Sequence, residues 1–234
     1  MITEKKMTGK IFLSVILILT AGVIYQCSMG KSREASGMKT EIINAVKRND
    51  YNKAKELLEK EADVNVKDER DRTLLMIAVY NNNYEISKLL IENGADINEQ
   101  DDMKNNPFLY SGAEGQLEIL KLLTKAGADT KITNRYGGVA LIPASERGHT
   151  ETVKYLLENT DIDVNHINNL GWTALLEAII LGNGGKEHIE ITDLLLKHGA
   201  DPNIADRNGV TPLMHAKEKE YKEIETLLIN AGAK

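Results

Sequence analysis

A unit of about 33 residues recurs along most of this chain, and that repetition limits the folds open to it. A small residue marks the first half of successive units, at Ala45, Ala78, Ser111 and Ala144, each 33 positions after the one before. A Leu-Leu pair marks the second half, and a closing motif such as ADIN at 95–98 ends the unit. The apolar residues of each half fall at helical spacing, so each unit predicts two helices and a turn. One such pair cannot bury its apolar side alone, whereas stacked neighbours form a continuous core, so the sequence predicts a solenoid.

Residues suited to helix ends stand at both ends of the predicted helices. Thr211 can cap a first helix through its hydroxyl group, and Pro212 is tolerated in the first helical turn. In a second helix, Ile86, Leu89 and Leu90 lie on one apolar stripe. A glycine follows several second helices where a left-handed C-cap is expected. These glycines are Gly94, Gly127, Gly199 and Gly232.

The repeat resembles that of the ankyrin family, whose first helix begins with the motif Thr-Pro-Leu-His-x-Ala. That motif is clear in three units of this chain and weaker in two more. It reads TPLMHA at 211–216, TALLEA at 173–178, TLLMIA at 73–78, NPFLYS at 106–111 and VALIPA at 139–144. The resemblance covers residues 40–234 and implies an all-α ankyrin repeat solenoid.

The closing motifs divide residues 40–234 into six units. Residues 40–65 lack the turn motif and are polar on the outside, as a terminal cap pair requires. The later units span 66–98, 99–131, 132–165, 166–203 and a C-terminal 204–234. Gly112 lies in the first helix of the second repeat, where it costs about 1 kcal/mol relative to Ala, so we expect this repeat to be the softest. The fourth repeat carries an insertion at 183–187.

The first 27 residues differ from the repeats and predict a signal peptide or membrane anchor outside the fold. Three lysines precede an apolar run from Ile11 to Tyr25, which is short for a membrane span of roughly 20 apolar residues. We therefore expect the repeats to be exported to the cell envelope or periplasm. The small, polar residues 28–39 predict a flexible linker.

Cys27, the only cysteine, lies two residues after the apolar run. Its position resembles that of the lipid-modified cysteine of bacterial lipoproteins, although Tyr25 and Gln26 depart from the usual residues before such a cysteine. Lipidation of Cys27, an uncleaved anchor and cleavage nearby to a soluble exported protein remain open.

Composition and motifs argue against several classes of function. A net charge of −6 disfavours nucleic-acid binding, because nucleic-acid binders usually carry a basic surface. The chain has no nucleophile elbow, zinc-protease motif, P-loop or dinucleotide-binding glycine pattern. The repeated Asp96, Asp129, Asp163 and Asp201 are explained by turn formation. We expect a monomer that is not an enzyme, has no cofactor or metal, and meets the membrane only through its N-terminal segment.

The class of function that remains is recognition of a protein partner through the surface of the repeats. The resemblance implies that turn tips and first helices form a concave surface that binds the partner. Several residues at these positions are large and apolar, and they stand in consecutive repeats, which is typical of an interaction patch. The predicted contact residues are Met103, Tyr136, Leu170, Trp172, Arg135, Asn169, Arg70 and Ile180.

Two alternatives accompany this hypothesis. Leu170 and Trp172 could instead pack under the inserted loop at 183–187. At the level of function, the protein could be a periplasmic accessory or an immunity or stress-protection factor that binds and modulates an enzyme.

Overall fold

The computed structural model describes residues 36–234 and arranges them as six stacked helix pairs. Twelve helices fall within these residues. They are α1 (36–47), α2 (Tyr51–Glu59), α3 (Leu74–Tyr80), α4 (Tyr84–Glu92), α5 (Pro107–Ala113), α6 (Leu117–Lys125), α7 (Leu141–Glu146), α8 (Thr150–Asn159), α9 (Ala174–Ile180), α10 (Lys186–Lys197), α11 (Pro212–Glu218) and α12 (Lys222–Asn230). The predicted signal segment, Cys27 and linker residues 28–35 lie outside the described residues.

Two layers of helices build the stack. The first helices α3, α5, α7, α9 and α11 pack on one another in order, and the second helices α4 and α6, then α8, α10 and α12, do so in the other layer. One cluster of buried Leu, Ile, Val and Ala side chains runs through all six units. The predicted solenoid is therefore confirmed. Among the described residues, no helix has both the length and the apolar character that crossing a membrane requires.

Side-chain caps start most of the first helices, as predicted. The hydroxyl oxygens of Thr73, Thr173 and Thr211 accept hydrogen bonds from the backbone N–H three residues later, at 3.1, 3.2 and 3.3 Å. Asn106 does the same at 2.8 Å. Val139 takes this place in the third repeat, where α7 has no side-chain cap and is only six residues long. The four glycines expected after second helices adopt positive φ angles of 83° to 91°.

The predicted linker ends earlier than expected. Residues 36–39 belong to α1, so the prediction of a flexible linker is wrong for them. Met38 packs against the apolar core, and the Thr40 hydroxyl donates a hydrogen bond to the Ser36 carbonyl oxygen at 3.1 Å. Burial of Met38 stabilises this additional helical turn.

Gly112 has a packing role that its helix propensity does not indicate. A β-carbon at this position would lie 2.9 Å from the β-carbon of Ala140, which is closer than two non-bonded carbon atoms approach. Glycine therefore permits the close approach of α5 to the start of α7. The cost of Gly112 to the helix is accompanied by tighter contact between the second and third repeats.

The five turns before the first helices share one geometry. In the first, Oδ1 of Asp68 accepts hydrogen bonds from the backbone N–H groups of Arg70 and Arg72, at 3.0 and 3.1 Å. Asp101, Asn134, Asn168 and Asp206 repeat this arrangement in later turns. Because both hydrogen bonds hold the tip from inside, the two residues at each tip are presented outward on a fixed backbone.

The closing motifs also hold neighbouring units together. Their aspartates accept a hydrogen bond from the backbone two residues on, which is the turn role predicted for the aspartate series. Each closing asparagine accepts a hydrogen bond from the backbone N–H of the next unit. The pairs are Asn65 with Asp96 (2.8 Å), Asn98 with Asp129 (2.9 Å), Asn165 with Asp201 (2.8 Å) and Asn203 with Lys234 (2.9 Å).

The second repeat departs from this series because Lys131 replaces the closing asparagine. There the next unit is held through side chains. The Thr130 hydroxyl donates a 2.6 Å hydrogen bond to Asp161, and the ammonium group of Lys131 lies 3.6 Å from the same carboxylate.

Candidate partner-binding groove

A groove of about 340 Å³ opens on the face formed by turn tips and by the first helices α5, α7 and α9. We call it the inner groove. It crosses the second, third and fourth repeats, and much of its wall is apolar. The large apolar side chains on this wall include Met103, Tyr110, Tyr136, Leu170 and Leu181.

Four of the eight predicted contact residues meet in the inner groove. These are Met103, Arg135, Tyr136 and Leu170. Tyr136 is 52% exposed and Leu170 is 48% exposed, which is high for large apolar side chains. Leu181 also lines the groove and is about half exposed.

The tips that carry these side chains contact one another across repeats. The guanidinium group of Arg135 lies over the ring of Tyr136, 4.7 Å from its centre, and one guanidinium nitrogen is 3.6 Å from the sulfur of Met103. The backbone N–H of Asn169 donates a 2.8 Å hydrogen bond to the carbonyl oxygen of Tyr136. This rim of the groove is therefore preorganised.

Asn169 and Arg70 have structural neighbours at the tips. The Asn169 carbonyl oxygen accepts a hydrogen bond from Arg207, and its side chain lies against Gly137. Arg70 is exposed at the first-repeat tip, where it lies 3.8 Å from the carboxylate of Asp102. Neither residue lines the inner groove.

Trp172 and Ile180 also lie outside the lining of the groove and are half-buried. Trp172 precedes α9, whereas Ile180 is the last residue of α9. The structure thus separates Trp172 from Met103, Tyr136 and Leu170, with which the sequence grouped it.

The inserted loop at 183–187 packs on the last unit. The Tyr221 hydroxyl donates a 3.1 Å hydrogen bond to the Gly182 carbonyl oxygen, just before the loop. Its ring lies so close to Gly184 that a β-carbon there would be 2.5 Å away. His188 lies 3.0 Å from the Asn183 side chain through one ring nitrogen and 2.9 Å from the Glu146 carbonyl oxygen through the other. Leu170 remains about half exposed, so this loop does not bury it.

Glu177 is the groove residue that sequence reasoning missed. Only 5% of it is exposed, yet it contributes to the groove wall. Oε1 of Glu177 accepts a 2.7 Å hydrogen bond from the side-chain amide of Asn168. Burial, reinforced by the negative charge of nearby Glu146, raises the pKa of Glu177 to about 7. The signal was present in the sequence as one acidic residue inside the apolar stretch ALLEAII at 174–180.

The cationic groups of the groove are already engaged. Arg147 forms an ion pair with Glu114, and Arg135 lies over Tyr136. Within residues 36–234, neither the carboxylate of Glu146 nor that of Glu177 has a Lys, Arg or His nitrogen within 4.0 Å. Over the same residues, no three His, Cys, Asp or Glu side chains converge in a way that could hold a metal ion.

Comparisons with known proteins agree with this architecture. A family model described as ankyrin repeats (three copies) matches residues 17–101, 42–134 and 108–206. The putative ankyrin repeat protein YahD of Escherichia coli K12 is 54% identical over 99 residues, which are 42% of this chain and 49% of that protein. The chain thus spans about half the length of this curated relative.

Two solved structures are similar over most of the chain. An ankyrin repeat domain from Acinetobacter baumannii AYE is 51% identical, with a TM-score of 0.80 over 82% of this chain and 98% of that one. The ankyrin repeat protein EF0377 is 42% identical, with a TM-score of 0.79 over 83% and 98% of the two chains. With its repeated motif and its stacked helix pairs, the chain belongs to the ankyrin repeat family, whose repeats are protein–protein interaction modules.

Proposed function

We propose that this protein binds a protein partner through the inner groove. One observation carries the proposal: Tyr136 and Leu170 are about half exposed on tips that hydrogen bonds hold in place. Contiguous exposed apolar patches often mark interaction sites, whereas single exposed apolar side chains are common on protein surfaces. Tyrosine is also frequent among the residues that contribute most to binding energy.

Photo-crosslinking from the groove tests this proposal directly. Tyr136 is replaced by p-benzoylphenylalanine in the full chain, and the protein is irradiated in the cells that produce it. Tyr84 is a matched control, because it is also an exposed tyrosine, at 38%, but begins the second-layer helix α4. We expect a discrete crosslinked protein from position 136 and not from position 84.

A second variant connects the crosslink to the groove. Adding Leu170→Ala should reduce the yield from position 136, because Leu170 lines the same groove and its apolar contact with the partner is lost. Equal labelling from positions 136 and 84, or a yield that Leu170→Ala leaves unchanged, would contradict binding in the groove.

The proposal includes export of the repeats by residues 1–27 and their attachment to the cell envelope. The lysines and apolar run of this segment support it. Alkaline phosphatase fused after Lys234 reports the location, because its disulfides form only outside the cytoplasm. We expect activity with the full chain and none after deletion of residues 1–27. Equal activity of both fusions would contradict export.

Labelling with a radioactive fatty acid separates the three fates of the N-terminal segment. A lipoprotein incorporates label in the wild-type chain and loses it in Cys27→Ala. An uncleaved anchor carries no label but keeps residues 1–27, whereas cleavage nearby releases a shorter chain without label.

A further inference from the structure

We infer that the inner groove receives a basic side chain, lysine or arginine, from its protein partner, and that Glu177 and Glu146 bind the cationic group. The inference rests on the proposed function, because it specifies the chemistry of a partner in the same groove. It adds a recognition site that the apolar rim residues do not define.

The position of Glu177 is the first support. Its carboxylate is buried in the wall of a groove that is open to a partner. Burying a carboxylate is costly unless it is paired or hydrogen-bonded, and one neutral amide from Asn168 satisfies only one of its oxygens. A cationic donor entering the groove would supply the missing partner.

The other repeats show that the stack itself does not require this glutamate. The equivalent positions hold Ile77, Tyr110 and Pro143, which carry no charge. In the last unit the position holds His215, which already has a partner, since its ring nitrogen lies 3.0 Å from the carboxylate of Asp206. Glu177 differs from all of these because it is acidic and has no ion-pair partner among residues 36–234.

Charge complementarity points to a cation. Glu146 is half-buried on α7, lines the same groove and acts electrostatically on Glu177. The two arginines of the groove are engaged by Glu114 and Tyr136. Arg135 keeps its positive charge in that contact, but three glutamates line the groove against two arginines, and within residues 36–234 Glu146 and Glu177 are the ones without an ion-pair partner.

The shape and lining of the groove suit a long basic side chain. Lysine and arginine bury an apolar stem while their charged group reaches a polar site. Met103, Tyr136 and Leu170 provide apolar surface for the stem and for a neighbouring apolar residue of the partner. The ring of Tyr110 in the same wall can also attract a cation.

A peptide-display experiment tests the inference without knowledge of the natural partner. The probe is a phage library of random peptides, panned on the immobilised full chain and in parallel on its Leu170→Ala variant. Peptides recovered by the wild type and lost with Leu170→Ala are defined as groove-directed. We expect nearly all of them to contain Lys or Arg beside an apolar residue.

The second stage measures affinity with one groove-directed peptide and its counterpart in which the basic residue is Gln. Loss of the cation should weaken binding by about 30-fold or more, as truncation of one member of a buried charge pair does. Glu177→Gln should weaken binding of the basic peptide by a similar factor and leave the affinity for the Gln peptide unchanged. Glu190→Gln, on the exposed side of α10, is the matched control and should have no effect.

The outcomes separate this inference from the proposed function. Groove-directed peptides without a basic residue, or equal affinity for wild type and Glu177→Gln, would overturn the inference and leave the groove proposal intact. If no recovered peptide depends on Leu170, the groove proposal fails and the inference fails with it. Glu177→Gln keeps the shape of the side chain and the acceptor for Asn168, so a folded variant is expected, and circular dichroism verifies it.

Discussion

The side-chain amide of Asn168 donates a 2.7 Å hydrogen bond to Oε1 of Glu177. The same asparagine holds the fourth-repeat turn, since its Oδ1 accepts from the backbone N–H groups of Leu170 and Trp172. One side chain thus connects the exposed tip at Leu170 to the buried acid in the groove wall.

Glu177 makes stability depend on pH. Its pKa is raised from 4.5 to about 7 in the folded protein, mainly by burial. Below pH 4.5 the Glu177 carboxyl group is protonated in both the folded and the unfolded chain, so it does not lower the free energy of unfolding. As pH rises from 4.5 to 7 the unfolded chain ionises first, so stability falls, and the full penalty of about 3 kcal/mol applies above pH 7. Glu177→Gln should therefore raise the free energy of unfolding at pH 8 by up to that amount.

Urea unfolding of the wild type and Glu177→Gln at pH 4 and pH 8 measures this difference. The gain should disappear at pH 4. Glu190→Gln, which changes an exposed glutamate, should show little difference at either pH. A gain from Glu177→Gln that is equal at both values would show that burial of the charge is not its cause.

Gly112→Ala should destabilise the protein although alanine is the better helix former. The new β-carbon would stand 2.9 Å from that of Ala140, and relief of this contact must move α5 away from α7. We expect a loss of about 1–3 kcal/mol, as for other overpacked sites. Gly37→Ala is the matched control, since Gly37 also lies in a helix and has no atom within 4 Å of an added β-carbon. It should be neutral or stabilising by up to about 1 kcal/mol.

Asn165→Ala should weaken the junction between the third and fourth repeats. The Asn165 side chain accepts from the backbone N–H of Asp201 at 2.8 Å and donates to the Gly199 carbonyl oxygen at 3.0 Å. Loss of both bonds should cost about 1–3 kcal/mol in the free energy of unfolding. Asn208→Ala changes an exposed tip asparagine whose side chain makes no hydrogen bond within residues 36–234, and it should cost much less. Equal losses in the two variants would refute the role of the closing asparagine.

Asp68→Asn should destabilise the first repeat in a pH-dependent way. Burial alone would raise the pKa of Asp68, but hydrogen bonds from Arg72 and from the turn outweigh burial and lower the pKa from 3.8 to about 2. The ionised group therefore stabilises the fold by about 2 kcal/mol above pH 4, and this contribution is lost as pH falls from 3.8 towards 2. Asparagine preserves the turn, as Asn134 shows in the third repeat.

Urea unfolding at pH 7 and pH 2 tests this effect. We expect Asp68→Asn to be about 2 kcal/mol less stable than the wild type at pH 7, with most of the difference gone at pH 2. Asp102→Asn is the comparison, because the pair of Asp102 and Arg70 is exposed and such pairs contribute little.

The repeat pattern was sufficient to predict the solenoid because period, caps and apolar stripes depend on local sequence. Thr211 caps its helix as expected, Thr73 and Thr173 do the same in their repeats, and the glycines that end second helices have positive φ angles. The end of the linker could not be placed in the same way. Residues 36–39 have a composition typical of a linker, and composition does not reveal the contact of Met38 with the core.

The candidate site was predictable where it depends on tip position and not where it depends on distances between repeats. The turn motif alone places Met103, Tyr136 and Leu170 on neighbouring tips, and the structure brings them into one groove. Trp172 occupies a similar position in its motif but lies outside the lining. Glu177 was missed because its burial arises from α7 and the Asn168 turn, which the sequence of α9 does not reveal.

Lys131 stands where the other closing motifs have asparagine, and this substitution affects how the solenoid resists tension. Each unit of a solenoid touches only its neighbours, so tension between the two ends passes through every junction in series. Along the edge of closing motifs, the junction of the second and third repeats lacks the asparagine-to-backbone hydrogen bond of its neighbours, and the side chains of Thr130 and Lys131 approach Asp161 instead. A partner seated in the inner groove would bridge this joint, because Met103 and Tyr136 lie on its two sides. Binding of the partner would then stiffen the solenoid against stretching at this junction.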